Sequence, residues 1–470
     1  MKVICDDGIA YELRENFTYH VPGYQFTPKY KARLWDGKIR LFDVKTNQIY
    51  RGLVPYIAKF CEERGYDWEY NDEAYDEEFS LKEAEDFIKT LNLPVEPRDY
   101  QIEAFVHAIR TKRSLLLSPT ASGKSLILYL IMRYLNANRT LIIVPTISLV
   151  SQLASDFASY GYSSDQYIHR VFAGEAKDTD KPIIISTWQS LFRLPQKYFE
   201  KFDLIIGDEA HLFKANSLID IMIKSINAKY RIGTTGTLDG TKTHKLVLEG
   251  LFGTVHKVIT TKELMDQKHI ADFSIKCLLL RHNDSICQAA KSFTYQQEIE
   301  YLILNESRNK FIANLCLSLE GNTLLLYQYV EKHGKILFDL IEKMANGRKV
   351  FFIYGKTDVE VREETRKIVE TSRNAIVIAS YGTFSTGINI RNLHNIVFGS
   401  PSKSRIRNLQ SIGRGLRTSE TKNSAVLYDI ADDMRYKKKE NFTLKHFMQR
   451  ISIYSEEKFS FKIYKINLKG

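Results

Sequence analysis

SLLLSPTASGKS, residues 114–125, decides how the chain reads. Ser114–Leu117 is a short apolar run of strand length. Pro119, Ala121 and Gly123 make a tight loop, and Lys124 and Ser125 open an apolar helical segment, LILYLIMRYL. Strand, loop and helix in that order spell a phosphate-binding P-loop. The loop Pro119, Thr120, Ala121, Ser122, Gly123 wraps a nucleotide's phosphates, and N–H groups there and at the helix start cradle the β-phosphate. The Lys124 ammonium reaches the β/γ-phosphates and the Ser125 hydroxyl holds Mg²⁺. The full pattern begins with Gly; Ser118 stands in that place.

Working outward, 470 residues suffice for two or three domains. Hydrophobic content of 44% with 26% charged residues fits a globular protein. The formal charge of +11 points to a polyanionic partner, nucleic acid first. Cys5, Cys61, Cys277, Cys287 and Cys316 form no C-x-x-C pair, so neither a zinc site nor a disulfide framework is readable. No run approaches 18 apolar residues, which excludes a membrane-spanning helix. The start, MKVICDDGIAYELRE, lacks the apolar core of a secretory leader. The expected location is the cytoplasm.

The pattern changes along the chain. Residues 1–92 read as a small α+β accessory domain. In it VICDDGIAYEL suggests a hairpin, LVPYIAKFCEERG a helix ended by Gly65, and residues 67–86, with ten acidic side chains and one Lys, an exposed connector into LKEAEDFIKTL. Residues 93–257 alternate helical segments with LLLS, TLIIVPT, PIIIST, DLIIGDE and YRIGTTG. Residues 258–433 hold a connector with the strand FSIKCLLL, then a second series: TLLLYQY, KVFFIYG, AIVIAS, NIVFGS and SAVLYDI. Such alternation makes parallel sheets covered by helices. Residues 434–470 form a short extension with the helix LKHFMQRISIY and the strand FSFKIYKINL.

Further motifs stand at strand ends. Asp208 and Glu209 follow DLIIG; Asp208 suits the metal and Glu209 an attacking water. The Thr234–Thr237 turn is rich in hydroxyls and can link the Asp208–His211 stretch to the second lobe. Arg98 and Gln101 open a helix just before the P-loop, where a Gln amide matches adenine's donor and acceptor. Pro145, Thr146 and Gln152, and then Thr187, Trp188 and Gln189, stand where strands hand over to helices. They suit phosphate contacts along a nucleic-acid strand, and Thr and Ser there suit plain helix capping equally. Arg414 and Arg417 share a helical face, and guanidinium charge helps most as negative charge spreads in a transition state. Thr383, Gly387 and Asn389 lie in a turn that suits nucleotide and nucleic-acid contacts.

Taken in order, RDYQ, SPTASGKS, VPT, DEAH, TTGT, STGIN and QSIGRGLR resemble the superfamily-two helicases and translocases over roughly residues 96–430. PGYQFTPKYKARLWDGKIRLFD, ASYGTFSTGINIRNLHNIV and EEKF extend the resemblance to a DNA-helicase group of T-even-like phages. The resemblance implies an α/β fold of two RecA-like lobes and use of ATP and Mg²⁺. It also implies ATP-driven remodelling of branched, forked or single-stranded DNA and of RNA–DNA hybrids: junction migration, fork regression, R-loop unwinding and strand annealing. Candidate protein partners are phage recombination or single-strand-binding proteins, and the setting is the cytoplasm of an infected bacterium. Asn389, where many relatives carry Asp, leaves the ribose contact open. The rival readings are a DEAH-type RNA helicase, a restriction-complex motor subunit, and an ATP-gated clamp that does not unwind.

In residues 21–45, Lys29, Lys31 and Lys38 belong to a basic set interleaved with aromatics. Basic side chains there suit a duplex backbone, while Trp35 reads better as core than as a stacking platform. The charge leads to a first prediction. DNA affinity falls steeply between 50 and 200 mM salt, on the order of the decades typical of multi-phosphate contacts. A salt titration of binding anisotropy checks this; a flat response would make the +11 charge incidental.

Overall fold

Alternation along Leu204–Asp208 shows how the first sheet is built. Leu204 and Ile206 enter one core with Leu116, Ile142 and Ile232, whereas Ile205 enters another with Leu115, Leu141 and Ile184. A strand covered on both faces is apolar throughout, and its neighbours read the same way. The computed structural model describes residues 1–70, 78–172, 174–213, 215–387, 390–400, 404, 409, 411–413, 422 and 424–468. They form two compact units, 1–118 with 123–259 and 260–470 with 119–122.

Near the N-terminus, β1 (Thr18–His20) pairs with β2 (Lys38–Arg40) and β3 (Phe42–Asp43) with β4 (Gln48–Ile49), both antiparallel. The expected first hairpin is instead the helix Asp7–Asn16. Asp6 caps it by accepting from the Ile9 N–H at 2.8 Å, so the DDG stretch starts a helix rather than a turn. The helix Val54–Arg64 ends as expected at Gly65, whose φ is 68°. Leu13, Phe17, Phe42, Leu53 and Phe60 share one core with Leu115, Ile205 and Phe252. The Tyr56 hydroxyl donates to the buried Glu249 carboxylate at 2.7 Å, tying the N-terminal region to the helix Lys242–Phe252.

The first sheet holds seven parallel strands: β5 (Arg113–Leu117), β6 (Thr140–Val144), β7 (Ile168–Val171), β8 (Ile183–Thr187), β9 (Leu204–Asp208), β10 (Tyr230–Thr235) and β11 (Val255–Lys257). Their order is β11-β5-β10-β9-β6-β8-β7. Both edge strands escaped the sequence reading. β7 carries His169 and Arg170 at its centre, and β11 is only three residues long.

The second sheet is again seven parallel strands: β12 (Asp272–Arg281), β13 (Thr323–Tyr327), β14 (Val350–Ile353), β15 (Ile376–Ser380), β16 (Asn395–Phe398), β17 (Ser424–Asp433) and β18 (Ser460–Asn467). Their order is β14-β15-β13-β16-β17-β12-β18. The strand of the connector and the strand of the tail therefore complete this sheet.

Buried ion pairs fasten the tail and the connector. Arg450, on the helix Phe442–Glu456, reaches Asp429 on β17 through Nε at 2.8 Å and Nη2 at 2.8 Å, and Tyr454 donates to the same carboxylate at 2.8 Å. Arg308 and His282 meet Asp432 at 2.9 and 3.1 Å. Burial opposes the Asp432 charge, but Arg308 and His282 outweigh it and hold the carboxyl at about 2. Among the described residues no helix is long and apolar enough to cross a membrane.

Removing one partner of such a pair strands the other charge without water. Asp429→Ala is expected to cost about 3–5 kcal/mol of stability. Urea unfolding measures it, and a loss below about 1 kcal/mol would mean the pair does not anchor the tail helix.

Candidate functional site

The P-loop leaves β5 at Ser118, which is fully buried and donates its backbone N–H to the Thr235 carbonyl at 2.9 Å. The interior position suits a small residue, and serine meets that requirement where the full pattern has glycine. Ala121 and Gly123 both take positive φ, 67° and 78°. That backbone is unusual for alanine, and positive φ of this kind is what anion-binding turns use. Ser122 closes the turn by donating its hydroxyl to the Pro119 carbonyl at 2.7 Å. Lys124 and Ser125 then begin the helix Lys124–Leu135.

Gln101 is buried, and its amide joins the preceding helix to this loop. Its Oε1 accepts from the Arg98 N–H at 2.9 Å and its Nε2 donates to the Gly123 carbonyl at 3.4 Å. Arg98 donates to the Tyr100 hydroxyl at 2.8 Å. Gln101 thus braces the P-loop. Adenine contact would exchange these bonds.

Asp208 ends β9 and faces Thr234 in the parallel register of β10. Its Oδ1 accepts from the Thr234 hydroxyl at 2.7 Å and from the Glu209 N–H at 2.9 Å. Glu209 takes φ 51°, and its carboxylate lies 4.0 Å from the Lys124 ammonium and 3.3 Å from His211 Nδ1. His211 also meets the Thr235 hydroxyl at 3.0 Å. DEAH and TTGT are therefore one hydrogen-bonded cluster opposite the P-loop lysine. Burial pushes the Asp208 carboxyl above its usual range and Glu209 pushes the same way, against Lys124, Thr234 and the Glu209 N–H. Two carboxylates held so close favour a cation. Beneath them Gly207 pairs with Gly233. A Cβ would stand 2.7 Å from Phe252 at the first and 2.9 Å from Leu115 and Phe252 at the second, so glycine lets that ring pack directly under the cluster.

The remaining expected residues divide by burial. Pro145 and Thr146 are half-buried, and Thr146 caps the helix Ile147–Ser159 by accepting from Leu149 N–H at 3.4 Å. Thr187 is buried with its hydroxyl 3.1 Å from that of Ser190, and Trp188 packs half-buried on Phe192. Gln152 and Gln189 are the exposed members of the set. Thr383 is buried, with 2.7 Å between its hydroxyl and that of Ser380, in the helix Tyr381–Gly387. Asn389, Arg414 and Arg417 lie outside the described residues.

In the N-terminal region Lys29 and Lys31 are exposed on the short helix Pro28–Lys31, while Lys38 is half-buried on β2. Trp35 is half-buried rather than core, its indole N–H donating to the Lys38 carbonyl at 2.9 Å. Phe26 and Leu34, 78% and 80% exposed, add apolar surface beside the lysines. The sequence reading missed one contact at the P-loop, that of Tyr160 with Ser125, 35 positions apart.

The family model for the N-terminal part of the DNA helicase UvsW matches residues 1–71, the type III restriction enzyme res-subunit model residues 94–240, and the helicase conserved C-terminal model residues 307–419. The ATP-dependent DNA helicase UvsW of Enterobacteria phage T4 is 34% identical over 100% of this chain and 98% of its own length. This chain belongs to the UvsW helicase family. The crystal structure of T4 UvsW superposes with a TM-score of 0.52 at 33% identity, covering 100% of this chain and 97% of that one. The DNA 3'-5' translocase XPB2 of Sulfurisphaera tokodaii is 25% identical over 75% of this chain and 86% of its own length. UvsW membership brings ATP hydrolysis and nucleic-acid binding with it, and the two parallel sheets are the family's two RecA-like lobes.

Thr234 supplies the side-chain hydroxyl bond to Asp208, so Thr234→Val is expected to lower the ATPase kcat roughly 10-fold, as loss of a carboxylate's outer partner does. Steady-state hydrolysis with a thermal melt as control measures this. Parent turnover in the folded variant would remove Thr234 from the site.

Proposed function

We propose that this protein is an ATP-driven helicase that remodels branched DNA by junction migration, fork regression, R-loop unwinding and strand annealing. The observation that carries the reading is the full-length likeness to T4 UvsW, including the N-terminal 71 residues. An RNA helicase or a clamp that does not unwind gains nothing comparable from it. We assign residues 1–92 to DNA guidance, 93–257 and 258–433 to the two motor lobes, and 434–470 to a C-terminal extension.

The roles follow from the chemistry of the side chains. Lys124 binds the β/γ-phosphates, and the turn Pro119–Gly123 cradles them with backbone N–H groups. Arg98 and Gln101 hold the adenine side of the nucleotide, and Gly387 and Asn389 its ribose side. Ser125 and Asp208 hold Mg²⁺. The donor set suits it: Asp208 and Glu209 favour a cation, and no group of three or more His, Cys, Asp or Glu side chains forms a cage among the described residues. Mg²⁺ takes one or two protein oxygens and completes its shell with water and phosphate. When bound, it offsets charge that builds on the phosphate oxygens. Glu209 orients the attacking water and accepts its proton, while His211 and Lys124 keep the Glu209 carboxylate in place. Arg414 and Arg417 stabilise charge in the transition state. Gln152, Gln189, Thr146 and Thr383 track a DNA strand, and Lys29, Lys31 and Lys38 contact duplex at a branch.

Lys124→Ala is expected to abolish ATP hydrolysis and all remodelling while DNA binding persists, because the basic surface is untouched. ATPase assays and strand exchange on forked, four-way and RNA–DNA substrates, with anisotropy for binding, test the reading. Near-parent turnover would end the P-loop assignment. A parent enzyme stimulated only by RNA would end the DNA assignment.

A further inference from the structure

The Ser125 hydroxyl lies 2.9 Å from the phenol oxygen of Tyr160. No motif contains Tyr160. It stands at the C-terminal end of the helix Ile147–Ser159. Its ring packs on Tyr129 with centroids 5.3 Å apart, and its carbonyl accepts from the Tyr129 hydroxyl at 3.5 Å. Arg133 donates to that same hydroxyl at 2.6 Å. Tyr129 and Arg133 sit about one and two turns beyond Ser125 on the helix Lys124–Leu135. The P-loop helix itself therefore carries the side chains that hold the phenol against its first turn.

We propose that Tyr160 is a positioning residue for Ser125: its phenol oxygen accepts a hydrogen bond from the serine hydroxyl and leaves an Oγ lone pair aimed at the Mg²⁺ position. The inference rests on the metal role assigned to Ser125 above. A hydroxyl has one proton and two lone pairs. A serine that gives a lone pair to a cation must direct its O–H at another acceptor, or the hydrogen itself faces the positive charge. Asp208 Oδ1 is already engaged by the Thr234 hydroxyl and the Glu209 N–H, and the metal role assigned to Asp208 leaves its Oδ2 to the cation. The phenol oxygen is the acceptor that the fold brings to Ser125. Outer partners of this kind set ligand orientation, and their loss typically lowers metal affinity about 10–100-fold.

Tyr160→Phe removes the oxygen and keeps the ring on Tyr129. The measurement is binding of a fluorescent ATP analogue by the full chain, titrated with Mg²⁺ and repeated in excess EDTA, with a melting curve. The variant is expected to need about 10-fold more Mg²⁺ for half-maximal binding, with EDTA affinity and Tm unchanged. Ser125→Ala is expected to shift the Mg²⁺ dependence as well, and adding Tyr160→Phe to it to change nothing further, since both act through one hydroxyl. Parent Mg²⁺ dependence in Tyr160→Phe while Ser125→Ala shifts would overturn the inference. So would an equal loss of affinity in EDTA, which marks a packing role. If Ser125→Ala also keeps the parent dependence, the metal role of Ser125 falls and the inference falls with it.

Discussion

The first unit depends on the parallel register of β10 between β5 and β9. In that register Thr234 stands opposite Leu116 on one side and Asp208 on the other. A parallel sheet points every strand's C-terminal end the same way, so the loop after β5 and the carboxylates after β9 emerge on one edge. The threonine between them bonds the carboxylate directly, and the next residue, Thr235, accepts from the backbone of Ser118. Loop and acid pair are thus spaced by ladder hydrogen bonds rather than by long side chains. A slip of one residue would turn Thr234 away from Asp208 and put Gly207 out of line with Gly233, filling the space that Phe252 needs.

Polar chemistry in the second unit serves a different end. Its buried carboxylates, Asp429 and Asp432, face guanidinium groups that come from the tail helix and from the connector. Charges placed so deep are costly unless matched, which makes the matched arrangement selective about what may pack there. They hold in place the segments that supply the last strands of the sheet.

Much of this was legible in the chain because the decisive signals are local. A P-loop is twelve adjacent residues, and DEAH and TTGT each follow a single apolar run, so strand, turn and chemistry arrive together. Legibility ended where the signal was spread out. Tyr160 meets Ser125 across 35 positions with no pattern joining them. β18 pairs with β12, from which most of the second lobe separates it, so its sequence announced a strand but not its neighbour. Gln101 was recognisable, yet its burial and its bond to Gly123 belong to tertiary packing. The helix Asp7–Asn16 was misread because Asp-Asp-Gly serves turns and helix starts alike, and the Asp6 cap decided between them.

The shared core of the N-terminal region and the first sheet has a mechanical consequence. Phe42, Leu53 and Phe60 lie in the same apolar cluster as Ile205 and Phe252, and a Cβ on Gly52 would come within 1.9 Å of the Glu249 carbonyl. Contact that tight opposes a hinge at residue 52. The short strands β3 and β4 are therefore riveted to the lobe that carries the P-loop. Rotation of that lobe would carry these strands with it as one lever.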